Sequence, residues 1–172
     1  MTARWLMLAA CLQSSLAIST AFALEAGTAS GTVTIDGVVT MVAFAASGTE
    51  EHLFDSSKRD TDVVVTDTPL ASVSPADRTE IAQQVGAGKL VAVLPRFDGD
   101  KLVNVGVARK GDGSLVLLPG VWVKASLSKD GAGSRKLASR EFDGHTYACD
   151  LTFHAKAVPP VAADDAAPAP TP

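Results

Sequence analysis

Hydrophobic and polar residues alternate along most of this chain with a period of two, as expected for strands that bury one face. Within 30–35, Val33 and Ile35 fall on one side and Thr32 and Thr34 on the other. Asp36-Gly37 follows, and Val38–Ala46 reads as the returning strand. An Asp-Gly link between such runs is a strong hairpin signal, because both central residues of a type I′ turn need positive φ. Val63, Val64 and Val65 form a β-branched run suited to a buried strand at 62–66. Further strands are predicted over 90–94, 102–108, 115–118, 121–127 and 135–142. The last, 146–157, places Tyr147, Cys149, Leu151, Phe153 and Ala155 on one face and Ala148, Asp150, Thr152 and His154 on the other.

One segment breaks this pattern. Ser74 is a good N-cap, Pro75 suits a first helical position, and Asp77 and Glu80 place negative charge in the first turns. Ile81, Ala82 and Val85 give an apolar stripe, and Gly86 or Gly88 a stop, so a helix is predicted over 75–85. About eight or nine short strands with one helix predict a mainly β fold, an antiparallel sandwich or barrel.

The two ends read differently. Arg4, the apolar stretch 5–17 and Ala21-Phe22-Ala23 have the form of an export signal cleaved after Ala23. The alternative is a lipobox at Leu8-Ala9-Ala10-Cys11, which would anchor the chain to a membrane through an acylated Cys11. Residues 158–172 hold five of the nine prolines and predict a disordered tail. The expected organisation is a signal peptide at 1–23, a single β-rich domain at 24–157 and the tail.

Composition now sharpens this picture. The chain has 172 residues, net charge −4, 47% hydrophobic and 20% charged residues, which suits one ordinary domain. Cleavage after Ala23 would remove Cys11 and leave Cys149 without an internal disulfide partner. Mild acidity argues against nucleic-acid binding. Charge is uneven: 50–80 carries eight acidic and three basic residues, whereas 101–140 carries eight basic and two acidic. A basic face built from Lys124, Arg135 and Lys136, with Trp122 beside Lys124, would suit an anionic envelope component.

Catalytic signatures are scarce. There is no G-x-S-x-G, no H-E-x-x-H and no phosphate-cradling loop closed by Lys-Ser/Thr, so no cofactor is expected. The weak metal candidates are His52, Asp55 and His154, without workable ligand spacing. The polar stretch 50–62 reads as a solvated loop with Leu53 and Phe54 plugging into the core.

Gly31-Thr32-Val33-Thr34-Ile35-Asp36-Gly37, Leu53-Phe54-Asp55-Ser56-Ser57-Lys58-Arg59-Asp60-Thr61, Val64-Val65-Thr66-Asp67-Thr68-Pro69-Leu70 and Phe142-Asp143-Gly144-His145-Thr146-Tyr147 resemble small exported bacterial β-domain proteins of unassigned function. That resemblance implies the fold and compartment and carries no catalytic residues across. The leading expectation is a periplasmic or secreted, non-catalytic domain that binds an envelope component or a protein partner. One alternative is a small hydrolase or ligand carrier with an interior cavity, Asp150 and His154 near its mouth. Another is a periplasmic metal-binding protein.

Overall fold

The computed structural model describes residues 27–52, 55–69, 74–88, 91–111 and 114–157. The signal segment with Cys11, the tail, Leu53 and Phe54 lie outside the described residues. In chain order the strands are β1 (Gly27–Ile35), β2 (Val38–Met41), β3 (Phe44–His52), β4 (Asp55–Thr66), β5 (Ala92–Asp98), β6 (Lys101–Ala108), β7 (Val116–Leu118), β8 (Lys124–Leu127), β9 (Ala132–Phe142), β10 (His145–His154) and β11 (Lys156–Ala157). A helix, α1 (Arg78–Gly86), lies between β4 and β5, and a 3-10 turn spans Gly120–Trp122.

All eleven strands join one sheet in the order β7-β6-β5-β4-β3-β1-β10-β9-β8, with β2 added to β1 and β11 to β3. Every pairing is antiparallel except β11 with β3. The sheet curls on itself. A single apolar cluster draws Val105 and Val107 from β6 and Leu118 from β7, and also Leu137 from β9 and Leu151 from β10. The result is barrel-like, with no hydrogen-bonded seam between β7 and β8 among the described residues. This is the mainly β architecture with one short helix that the alternation predicts.

The valine run is buried on both sides for a simple reason. Val63 and Val65 point into the curled sheet, while Val64 points outward beneath α1. There it meets Ile81 and Val85 of the helix, with Ala92, Leu94 and Ala108 around them. A strand covered on both faces loses the polar alternation of a half-buried one.

Two Asp-Gly turns have the type I′ form, the first of them the one expected at Asp36-Gly37. Asp36 and Gly37 have φ of 50° and 79°, and Asp143 and Gly144 have φ of 51° and 73°. The strand predicted at 38–46 is instead two strands, bent at Val42-Ala43, because β1 pairs first with β3 and then with β2. The bend sits opposite Gly31, whose φ is 118° and whose carbonyl accepts from Val42 N at 3.2 Å. A Cβ at Gly31 would strike the Asp150 carbonyl oxygen, so glycine is required there twice over.

Two other expectations need correction. The helix cap is Asp77, whose carboxylate accepts from Glu80 N at 2.9 Å, and not Ser74. Ser74 and Pro75 form the turn that precedes the helix, with Asp77 N donating to Ser74 O at 2.9 Å. Residues 50–52 and 55–62 are not loop but the outer part of the β3–β4 hairpin, where Glu50 pairs with Asp60 and Glu51 with Arg59. The opposite charges of Glu51 and Arg59 support the pairing, whereas Glu50 and Asp60 set like charges across it.

Candidate functional site

The inner face of the curled sheet can be read as ranks of side chains set by strand register. Nearest the end where the β5–β6 and β8–β9 hairpins meet, β8, β9, β10 and β1 contribute Leu127, Gly133, Phe153 and Ala29. The next rank inward is Ala125, Arg135, Leu151 and Gly31. Behind it stand Leu137, Cys149 and Val33.

Arg135 is the exception in this apolar lining. It is 1% exposed, and none of Nε, Nη1 and Nη2 has a hydrogen-bond partner among the described residues. Burial pushes its guanidinium down to about 10, which still leaves it charged at neutral pH. Burial also pushes the Cys149 thiol up, against the opposing pull of the Arg135 charge. An arginine presents five N–H donors in a planar fork, and leaving them buried and unpaired is costly. The small neighbours Ala125 and Gly31 leave the long side chain its place in the rank.

A cleft of about 500 Å³ opens at the hairpin end, lined by Thr61, Gly99, Asp100, Leu127, Ser128 and Gly131. Gly131, in the turn just before β9, stands four residues ahead of Arg135, at most roughly 13 Å at ~3.3 Å per residue.

The other predicted site residues separate. Lys124 and Lys136 are direct cross-strand partners on the outer face of β8 and β9, and Lys136 Nζ lies 2.8 Å from Asp150 Oδ2. Arg135, between them in sequence parity, points the opposite way and does not belong to their face. Trp122 lies in the 3-10 turn and not on the strand with Lys124; its ring meets Phe142 edge-on at 5.8 Å. Asp150 and His154 are exposed on the outer face of β10 and so do not border the interior, because Cys149, Leu151 and Phe153 take the inward positions.

Of the metal candidates, the structure brings His52 and Asp55 together and leaves His154 apart. Asp55 accepts from Ser57 N at 3.1 Å and Ser57 Oγ at 2.6 Å. His52 pairs with Asp55 across the hairpin and has Nε2 4.0 Å from Asp60 Oδ1. His154 stands opposite Thr28 and Ala132, at the far end of β10 from the Asp143-Gly144 turn. Among the described residues no group of three or more His, Cys, Asp or Glu side chains is placed to hold an ion.

Two polar clusters were missed by sequence reasoning. On the outer face under the start of α1, Asp62 is fully buried and accepts from Arg78 Nη2 at 2.7 Å and from Arg96 Nε and Nη2 at 3.0 and 2.8 Å. Arg96 also reaches Glu50, and Arg78 reaches Asn104 Oδ1 at 3.3 Å. Burial, and then the Asp62 charge, push the Glu50 carboxyl above its usual range. These groups come from β3, β4, β5, β6 and α1, so only the register of four strands brings them together.

The second cluster closes the end of the sheet opposite the cleft. Asp36 Oδ1 accepts from Thr146 N at 2.9 Å, and Asp36 Oδ2 lies 2.8 Å from His145 Nδ1 and 3.0 Å from Arg109 Nη1. Lys110 Nζ pairs with Asp67 Oδ2 at 2.7 Å nearby. Val38, Val39 and Met41 of the adjoining β2 are exposed. The Thr146 amide, then His145, hold the Asp36 carboxyl below its usual range. A lowered folded-state value means that the cluster's stabilisation is present above the ordinary carboxylate range. It is lost as the pH falls through the lowered value. Asp36→Asn, a residue that tolerates positive φ, is therefore expected to flatten the acid limb of the stability–pH curve below about pH 4. Acid unfolding followed by circular dichroism checks this, and an unchanged acid limb would contradict it.

No family model, curated protein or solved structure matches the chain. No helix among the described residues is long and apolar enough to cross a membrane.

Proposed function

We propose that this protein is an exported, non-catalytic β-domain that binds a small anionic ligand from the cell envelope within its curled sheet. The observation that carries this reading is Arg135: a guanidinium fully enclosed by apolar side chains, with none of its nitrogens partnered among the described residues. Such a group is expensive in a domain whose total stability is on the order of 5–15 kcal/mol. An anion brought against it would convert the uncompensated charge into a charge-assisted pair, the stronger kind of hydrogen bond.

Export is supported by the 1–23 segment, and the reading of a carrier with an interior site replaces the basic outer face of Lys124 and Lys136. That outer pair is a poorer anion site, since Lys136 already holds Asp150. The hydrolase version loses support because Asp150 and His154 face away from the interior.

The test is direct. The full chain, expressed with its leader in a bacterial host and recovered from the envelope, is measured by native mass spectrometry. The expected result is an added small-molecule mass, removed by organic extraction and absent from Arg135→Met. Protein that carries no added mass and binds no anion in solution in an Arg135-dependent way would overturn the reading.

A further inference from the structure

Resting on that interior site, we infer that the ligand is a single-chain carboxylic acid of the fatty-acid class, its carboxylate on Arg135 and its chain reaching the hairpin-end cleft past Phe153. The charge balance points to a monoanion. Arg135 is the one buried cation pointing inward among the described residues, and the ranks on either side of it are apolar. A free phosphate would bring up to two negative charges and several strong acceptors into a place that offers one guanidinium. A carboxylate brings one charge and two coplanar oxygens, which match the two parallel N–H groups of the fork.

The surroundings then fix the rest of the molecule. A small, fully hydrated carboxylate would shed its water and gain little beyond the ion pair. An acid with an alkyl chain also removes apolar surface from water, at about 25 cal/mol per Å². The cleft at Leu127, Ser128 and Gly131 opens at the end of β9 toward which the inner rank of Leu127, Gly133 and Phe153 leads. The rank between cleft and guanidinium is Leu127, Gly133, Phe153 and Ala29.

Phe153 is the gate in that rank. Gly133 lies directly opposite it, and a Cβ on Gly133 would sit 2.5 Å from Phe153 Cζ. The ring therefore fills the place that any other residue at 133 would take. It is 5% exposed and lies between the cleft and the rank of Arg135. Turning one aromatic side chain aside opens an apolar passage along the inner face of β9, without breaking a hydrogen bond of the sheet.

The experiment uses the delipidated full-length mature chain, titrated with acetate, inorganic phosphate, decanoate, palmitate, hexadecanol and a lysophosphatidic acid. Palmitate is expected to bind most tightly, decanoate less so, and acetate, phosphate and hexadecanol weakly. Arg135→Met is expected to weaken palmitate binding by about 100-fold, the scale of removing one partner from a buried charge pair. Phe153→Leu keeps the core apolar but removes the ring, and should speed palmitate association in stopped-flow measurements while leaving the Arg135 dependence intact.

Arg135-dependent binding of acetate or phosphate as tight as that of palmitate would overturn the single-chain ligand while leaving the interior anion site standing. Preference for the lysophosphatidic acid would overturn the carboxylate assignment alone. Hexadecanol binding as well as palmitate would remove Arg135 from the head-group role. Unchanged association rates in Phe153→Leu would remove Phe153 as the gate. Loss of all Arg135-dependent binding would overturn both this inference and the function on which it rests.

Discussion

Arg135→Met is expected to raise the stability of the ligand-free protein by about 2 kcal/mol, moving the thermal midpoint up by roughly 5–10 °C. Most buried polar residues, when truncated, leave a partner stranded and cost stability. Arg135 strands nothing, because none of its three nitrogens has a hydrogen-bond partner among the described residues. Methionine follows the arginine stem for most of its length, keeps the contacts with Ala125 and Leu151, and removes the enclosed charge. The gain should vanish on the ligand side of the comparison. A ligand at 100 times the wild-type Kd stabilises the wild type by about 2.7 kcal/mol and the variant, binding about 100-fold more weakly, by only about 0.4 kcal/mol, so the two melting curves should meet or cross. Differential scanning calorimetry with and without palmitate reads both effects. A variant that melts lower than wild type when free of ligand would show that the guanidinium already has its partner in the empty protein.

A residue kept at the expense of stability is a sign of function, since replacement by an apolar side chain is open to the sequence at any time. Arg135 fits that description, and the position was partly legible in the sequence. Arg135 and Leu137 share parity along β9, with Ser134 and Lys136 on the other side. The alternation that assigned Tyr147, Cys149, Leu151 and Phe153 to one buried face of β10 was equally available for β9. Grouping Arg135 with Lys124 and Lys136 by charge overrode it. A sum of charges along a segment says nothing about which face each occupies, whereas a period of two does.

The fold was legible wherever the signal was local. Asp36-Gly37 needs two positive φ angles and forms the turn its sequence announces, and Asp143-Gly144 forms another of the same kind. The helix was located by its apolar stripe, but it starts at Arg78 and not at Pro75, because the cap is Asp77, four residues ahead of Ile81, and not Ser74. The segment 50–62 was misread because its stabilisation is not local. Its charged residues look solvated in one dimension, but Asp60 and Asp62 of β4 are both buried, Asp62 against Arg78 at the start of α1. Nothing in the spacing of Glu50, Asp62, Arg78, Arg96 and Asn104 announces that they meet. Their convergence depends on the β3–β4, β4–β5 and β5–β6 registers and on the place where α1 docks.

That convergence sets up the largest destabilisation expected in the molecule. Asp62 is 0% exposed and sits between two guanidinium groups, both of which it holds through the same carboxylate. Burial alone would lower Arg96, yet its value is raised, because the Asp62 hydrogen bonds and charge outweigh that penalty. Asp62→Ala leaves Arg78 and Arg96 facing each other in a half-enclosed site, with Glu50 as the remaining contact of Arg96. Breaking a buried pair by removing one partner costs about 3–5 kcal/mol, a large share of a stability on the order of 5–15 kcal/mol. Denaturant unfolding should show the midpoint falling with little change in slope. A second substitution separates lost attraction from stranded charge. Asp62→Ala combined with Arg96→Met removes one uncompensated guanidinium, so the double variant should be more stable than Asp62→Ala alone, a strong departure from additivity. If the two changes simply add, Asp62 acts through packing and the charge network has no part in holding α1 to the sheet. The sheet would then handle charge on its two faces by unlike rules: outside, under the helix, Arg78 and Arg96 share the Asp62 carboxylate, and inside, Arg135 has no hydrogen-bond partner among the described residues.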